Sequence, residues 1–122
     1  MNIIFGTEMA KQAHDRYIVL ELDTFNLLPT NEVVTAYCVV ETVPIEEMPA
    51  IERLKESHSN LMAEYRKRNW SYCEDTIAHL ISKWSGDLDS FYIELSQRIQ
   101  DLKQQDLPED WTGRLDKTVE VV

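Results

Sequence analysis

Pro44 and Pro49 divide the chain into two kinds of hydrophobic pattern, and that division limits the fold more than any other feature. Before them, Tyr17-Ile18-Val19-Leu20-Glu21-Leu22 and Val33-Val34-Thr35-Ala36-Tyr37-Cys38-Val39-Val40 are short runs rich in β-branched and aromatic residues, a composition that suits a pleated surface. Asn26 to Asn31, with Pro29 and two asparagines, supplies turn chemistry between them, so the pair is expected to form an antiparallel hairpin. The second run is apolar on both faces and should lie between other elements. A lone two-stranded hairpin is marginal in water, which calls for helices to cover it or a partner to extend it.

Beyond the prolines the period changes to that of a helix. A helix is expected to start between Glu46 and Ala50, where proline is tolerated in the first turn. Ile51, Leu54, His58, Leu61, Met62 and Tyr65 then form one apolar stripe. Asn69 breaks the pattern, and Trp70, Cys73, Ile77, Leu80, Ile81 and Trp84 resume it on a second helix, which Ser85-Gly86-Asp87 ends. Asp87 is placed to cap a third helix carrying Leu88, Phe91, Tyr92, Leu95, Ile99 and Leu102 on one face. Such short connections imply antiparallel neighbours.

The ends of the chain are less regular. Gly6-Thr7 is expected to begin a short helix through His14, capped by Thr7. Leu107 to Gly113 carries too much turn chemistry to continue a helix, and Trp111 should pin this tail back onto the body. Thr118-Val119-Glu120-Val121-Val122 alternates weakly and reads equally as a strand or a frayed end. The fold expected is α+β, an N-terminal β-hairpin packed on three antiparallel helices. Residues 1–122 read as a single domain: a helix and hairpin in 1–43, helices in 44–105 and an extended segment in 106–122.

Composition excludes several function classes. A chain of 122 residues, 43% hydrophobic and with only three glycines, is long enough to bury about two thirds of its unfolded surface and does not read as disordered. Its net charge of −10 sets up a field that repels phosphate backbones and anionic lipid headgroups, so neither nucleic acid nor a membrane surface is an expected partner. The one basic run, Arg66-Lys67-Arg68, falls where a helix is expected to end and complements the macrodipole there. Cys38 and Cys73 show no metal or redox spacing and read as small buried hydrophobes. The apolar run Asn2-Ile3-Ile4-Phe5 is too short for a signal segment, and a reduced, cytoplasmic setting is expected, with a virion interior as the alternative.

No catalytic motif is present. The chain lacks a G-x-x-x-x-G-K-[ST] loop, a G-x-G-x-x-G turn and a G-x-S-x-G elbow, and its histidines, at 14, 58 and 79, are far apart in sequence. His58 lies inside an apolar stripe with no second His or Cys at a metal-binding offset, the pattern of a satisfied core residue. Asp87 and Asp89 near a helix start, and the pair Glu46-Glu47, are explained by capping electrostatics. No catalytic, metal-binding or cofactor-binding residue is therefore assigned, and no cofactor is expected.

Gly6-Thr7-Glu8-Met9-Ala10, Asp15-Arg16-Tyr17, Glu21-Leu22-Asp23 and Val33-Val34-Thr35-Ala36-Tyr37 follow one another in an order that resembles the last elements of the cyclase homology domain in bacterial class III adenylate and guanylate cyclases. Tyr65-Arg66-Lys67-Arg68-Asn69-Trp70 and Trp111-Thr112-Gly113 are similar to a Y-R-x-R-x-W-like segment and a late W-x-G in the helical tail of many such enzymes. That tail is similar to a tetratricopeptide-like helix pair, in which an aromatic and small residues lock two helices together.

Two departures bear on function. Thr24-Phe25-Asn26-Leu27-Leu28-Pro29 stands where the cyclases usually carry a K-G-K-like phosphate-facing segment. The family's metal-binding aspartates, base-recognising residues and transition-state Asn and Arg correspond to elements upstream of Met1. The resemblance thus implies a cyclase end without the catalytic part, and no catalytic residue carries over.

The function expected is a non-catalytic protein-interaction or assembly module that docks on a protein partner or self-associates. The hairpin edge is one candidate surface, since unpaired strand edges attract another chain. Tyr37, Tyr65, Arg68, Trp70 and Trp84 form the other, with plain core packing as the competing explanation of the aromatic rings. The alternative function is a structural component of a phage virion or other large particle.

Overall fold

A computed structural model of the chain describes residues 2–14, 17–40 and 48–118. The fold is α+β, with a four-stranded sheet and four helices among the described residues. The chain divides into two compact units, Met1–Val43 with Gly113–Val122, and Pro44–Thr112.

The first unit contains β1 (Asn2–Phe5), α1 (Thr7–His14), β2 (Ile18–Leu28), β3 (Glu32–Val40) and β4 (Leu115–Thr118). The sheet order is β1-β3-β2-β4. β3 lies between β1 and β2, antiparallel to both, and of its two apolar faces the one carrying Ala36, Cys38 and Val40 is buried, the other half-buried. β2 continues beyond the expected strand: Thr24 to Leu27 pair with Thr35 to Glu32 on one side, and Phe25 to Leu28 pair in parallel with Leu115 to Thr118 on the other. The turn shrinks to Pro29, Thr30 and Asn31, where Asn31 adopts a φ of 61° and donates its N–H to the Leu27 carbonyl at 2.6 Å. Asparagine tolerates that left-handed conformation better than most residues.

Residues in register share a face, so Leu20 sits with Cys38, and Ala36 and Val40 follow along the same side. All four are buried, as are Leu22 and Ala10 of α1. The register shifts by one residue between Glu21 and Thr24, so that Leu22 and Asp23 face a single position of β3. A bulge of this kind increases local twist. Beyond it the Thr24 and Thr35 hydroxyls meet at 3.0 Å, and Asn26 donates to the Asp116 carboxylate at 3.2 Å across β4.

The second unit contains α2 (Met48–Arg66), α3 (Trp70–Leu80) and α4 (Asp89–Lys103). Its apolar stripes lie inside: Ile51, Leu61, Met62 and Tyr65 from α2, Cys73, Ile77 and Leu80 from α3, and Phe91, Tyr92, Leu95 and Ile99 from α4 are buried. His58 is fully buried, and its Nδ1 lies 2.8 Å from the Tyr92 hydroxyl. That bond joins α2 to α4 and offsets the cost of taking an imidazole out of water. Ile81 departs from the expected stripe, because α3 ends at Leu80 and Ile81 is left exposed in the link to α4.

The start of α4 also differs from expectation. Leu88 occupies the cap position with no side-chain capping bond, and it is Asp89 that accepts a hydrogen bond, at 2.8 Å, from the Ser82 N–H. Asp89 thereby closes the 81–88 link across seven residues, a task Asp87 does not perform. Trp84 and Leu88 from this link are buried. On the outer side, Glu74 of α3 accepts from Lys103 Nζ at 2.8 Å and from Gln100 Nε2 at 3.0 Å on α4. The Lys103 bond, followed by that of Gln100, holds the Glu74 carboxyl below its ordinary pKa.

Candidate interaction surface

The residues singled out in the sequence fall in different places. Tyr37 lies in β3 of the sheet unit, half-buried and opposite Ile4 on one side and Glu21 on the other. Tyr65, Arg68 and Trp70 come together in the helical unit around the end of α2, where Trp111 joins them. Trp84 stands apart in the 81–88 link. Tyr65 and Trp84 are 2% and 3% exposed, so their rings are core side chains with almost no face for a partner, and Arg68, Trp70 and Trp111 are half-buried around Tyr65.

The geometry of the Arg68 cluster follows from how α2 ends. Arg68 has a φ of 64°, its N–H donates to the Tyr65 carbonyl, and the next N–H, of Asn69, donates to the Glu64 carbonyl. These are the two bonds of a Schellman cap, whose left-handed position is ordinarily glycine. An L-residue there costs roughly 1–2 kcal/mol of backbone energy. The Arg68 side chain offsets that cost: it donates to the Leu107 and Pro108 carbonyls, and its guanidinium stands 5.5 Å from the centre of the Trp111 ring.

Tyr65, Trp70 and Trp111 meet edge to face, with centroids 5.6 to 5.8 Å apart, the arrangement the ring quadrupoles favour. Trp111 therefore fastens the 104–112 segment to the helices, as expected of the one large aromatic within the turn-rich run. Two members of the basic run are engaged locally. Lys67 faces Glu64 at 3.5 Å, and Arg68 is engaged by carbonyls and a ring.

The Cys73 thiol is buried, lies 3.8 Å from the Leu61 carbonyl, and is pushed up to about 11 by burial, with Glu64 and Glu74 adding to the effect. A thiol so protonated at neutral pH is a poor nucleophile. Cys38 is buried as well. Among the described residues no group of three His, Cys, Asp or Glu side chains is arranged to hold a metal ion, and no helix is long and apolar enough to cross a membrane. Asp15, Arg16, Glu46 and Glu47, and the run Val119 to Val122, lie outside the described residues.

A different surface emerges at the first strand. Ile3 and Phe5 of β1 are 45% and 55% exposed, and Met9, Tyr17 and Val33 of the same unit are exposed too. Among the described residues β1 pairs only with β3, and β4 only with β2, so each leaves one edge open. The two edges are unlike. β4 carries Asp116 and Lys117, charges of the kind that discourage edge-to-edge pairing, whereas Asn2-Ile3-Ile4-Phe5 carries none. As sequence this run signals only an apolar stretch; the alternation of Ile3 and Phe5 becomes informative once the neighbouring strand is known.

The chain matches no family model, no curated protein and no solved structure.

Proposed function

We propose that the chain is a non-catalytic protein-interaction or assembly module, corresponding to the end of a class III nucleotide cyclase, that docks on a protein partner or self-associates through the open edge of its sheet. The observation that carries this reading is the uncharged β1 edge with Ile3 and Phe5 half-exposed. An apolar strand with unused backbone donors and acceptors gains both hydrogen bonds and burial when another strand joins it. The absence of a catalytic role is supported by the raised Cys73 thiol and by the packing of His58 against Tyr92. Two buried, unbridged cysteines suit a reducing setting such as the cytoplasm, and the charge of −10 disfavours nucleic acid as the partner.

The test compares the tagged wild-type chain with Phe5→Lys in affinity capture from native cells, with light scattering of the pure proteins alongside. The expected result is a partner, or a self-associated form, that Phe5→Lys loses while keeping its circular dichroism. A wild-type monomer that retains no partner dependent on β1 would overturn the reading.

A further inference from the structure

We infer that the occupant of the β1 edge is a second copy of the same strand, paired antiparallel about a two-fold axis at Ile4 so that Ile3 of each copy lies opposite Phe5 of the other. The inference rests on the reading of the edge as an interaction surface and adds its partner and register. It begins from hydrogen-bond phase. The Gly6 N–H donates to the Thr35 carbonyl at 3.0 Å, which continues the register Asn2 to Val39, Ile4 to Tyr37. Residues of an antiparallel strand alternate between exchanging bonds with a neighbour and turning their polar groups away from it. The Gly6 N–H and the backbone groups of Ile4 and Asn2 are therefore spent on β3, while the Gly6 carbonyl accepts from the Ala10 N–H at the start of α1, and Ile3 and Phe5 turn their backbone groups to the open edge.

The two residues with outward backbone groups are also the two large apolar residues of β1 that are about half exposed. They flank Ile4 symmetrically. An inverted copy sets Ile3 against Phe5 twice, and each pair exchanges two backbone bonds, as an isologous contact requires. Each also joins an aromatic to a β-branched side chain, a favourable cross-strand combination.

Charge selects the same seam. Two copies of a chain with net charge −10 repel, so they can meet only where no like charges face each other. β1 has no charged residue, and the nearest charges after it, Glu8 and Lys11, are of opposite sign and lie 3.9 Å apart on α1. The contact is small, two short strands and four half-exposed side chains, which places it in the weak class below about 1,200 Å² of buried surface. The association is therefore concentration-dependent.

Sedimentation velocity and oxidative cross-linking test this together. The wild-type mass is expected to rise with concentration from 14.3 kDa toward twice that value, and Phe5→Lys to remain at the monomer mass. In the proposed register Ile4 faces its own copy as a non-hydrogen-bonded pair, with Cα atoms about 4.5 Å apart, within disulfide range. Ile4→Cys should accordingly cross-link, whereas Ile3→Cys and Phe5→Cys, each offset from its own copy by two residues, should do so at least about tenfold more slowly. Cross-linking at equal rates in all three would overturn the register, and a wild-type chain that stays monomeric would overturn the self-pairing. If that monomer still captures a partner through β1, the inference falls and the functional reading stands; if it captures none, both fall.

Discussion

The two units treat their large apolar side chains in opposite ways. Among the described residues, the helical unit holds nine of the ten largest fully buried side chains, with Cys38 of β3 as the exception. Among the described residues, the sheet unit holds five of the eight exposed large hydrophobics, Ile3, Phe5, Met9, Tyr17 and Val33. Helices satisfy their own backbone hydrogen bonds, and three amphipathic stripes can close on one another. A sheet of four strands keeps two open edges, and its short first strand buries little on its own. The helical unit thus closes on itself, and the sheet unit leaves apolar side chains exposed, the feature on which the proposed binding role rests.

The largest effect that sharpens this contrast is a core truncation. Leu95→Ala, at a fully buried position of α4, is expected to cost about 2–5 kcal/mol in urea unfolding, while Ile3→Ala, on the open edge, should stay within about 0.5 kcal/mol. Comparable losses at both sites would break the comparison. A smaller loss, about 1–3 kcal/mol, is expected when Tyr92→Phe removes the 2.8 Å bond to His58. Urea titration at neutral pH would detect it, and an unchanged midpoint would show that the bond contributes nothing net.

At Arg68 the expected order separates backbone from side chain. Arg68→Ala retains the left-handed strain and loses the contacts to Leu107, Pro108 and Trp111. Arg68→Gly loses the same contacts and relieves the strain, so it should be more stable than the alanine variant by about 1 kcal/mol. Thermal melts of the two proteins decide the point, and equal melting temperatures would remove strain from the account.

A further effect is in pH dependence. Burial raises the Cys73 thiol from 9.0 to about 11, so between those values the folded chain keeps a proton that the unfolded chain releases. The contribution to stability is present below about pH 9 and is lost as pH rises toward 11. Cys73→Ala should therefore flatten the decline in stability between neutral pH and about pH 10 relative to wild type. An unchanged slope would contradict a buried, proton-retaining thiol.

Much of the helical unit is legible in the sequence because its periodicity is local. Ile51, Leu61, Met62 and Tyr65, then Cys73, Ile77 and Leu80, then Phe91, Tyr92, Leu95 and Ile99 are stripes that need no knowledge of distant residues, and they are buried. The sheet is less legible because its pairings are not local. Leu115 to Thr118 has no strong strand propensity and becomes β4 only against Phe25 to Leu28, ninety residues earlier in the case of Asn26 and Asp116. The same pairing draws Asn26 to Leu28 out of the expected turn and into β2.

The candidate surface divides along the same line. Spacing alone cannot separate a ring that supports a helix end, such as Tyr65, from one that faces outward. Nor does spacing reveal that Arg68 occupies a position suited to glycine, since that follows from the bonds of Arg68 and Asn69 back to Tyr65 and Glu64. The exposure of Ile3 and Phe5 depends on where β3 lies, which the first five residues do not encode by themselves.

Amide hydrogen exchange of the pure protein, followed residue by residue at low and high concentration, tests the central claim most directly. The account predicts that the Ile3 and Phe5 amides exchange freely in dilute protein and slow as concentration rises, while Ile4, already turned toward β3, and the amides of α2 to α4 change little. Concentration-dependent protection confined to the helices, or none at Ile3 and Phe5, would contradict the assignment of binding to the β1 edge.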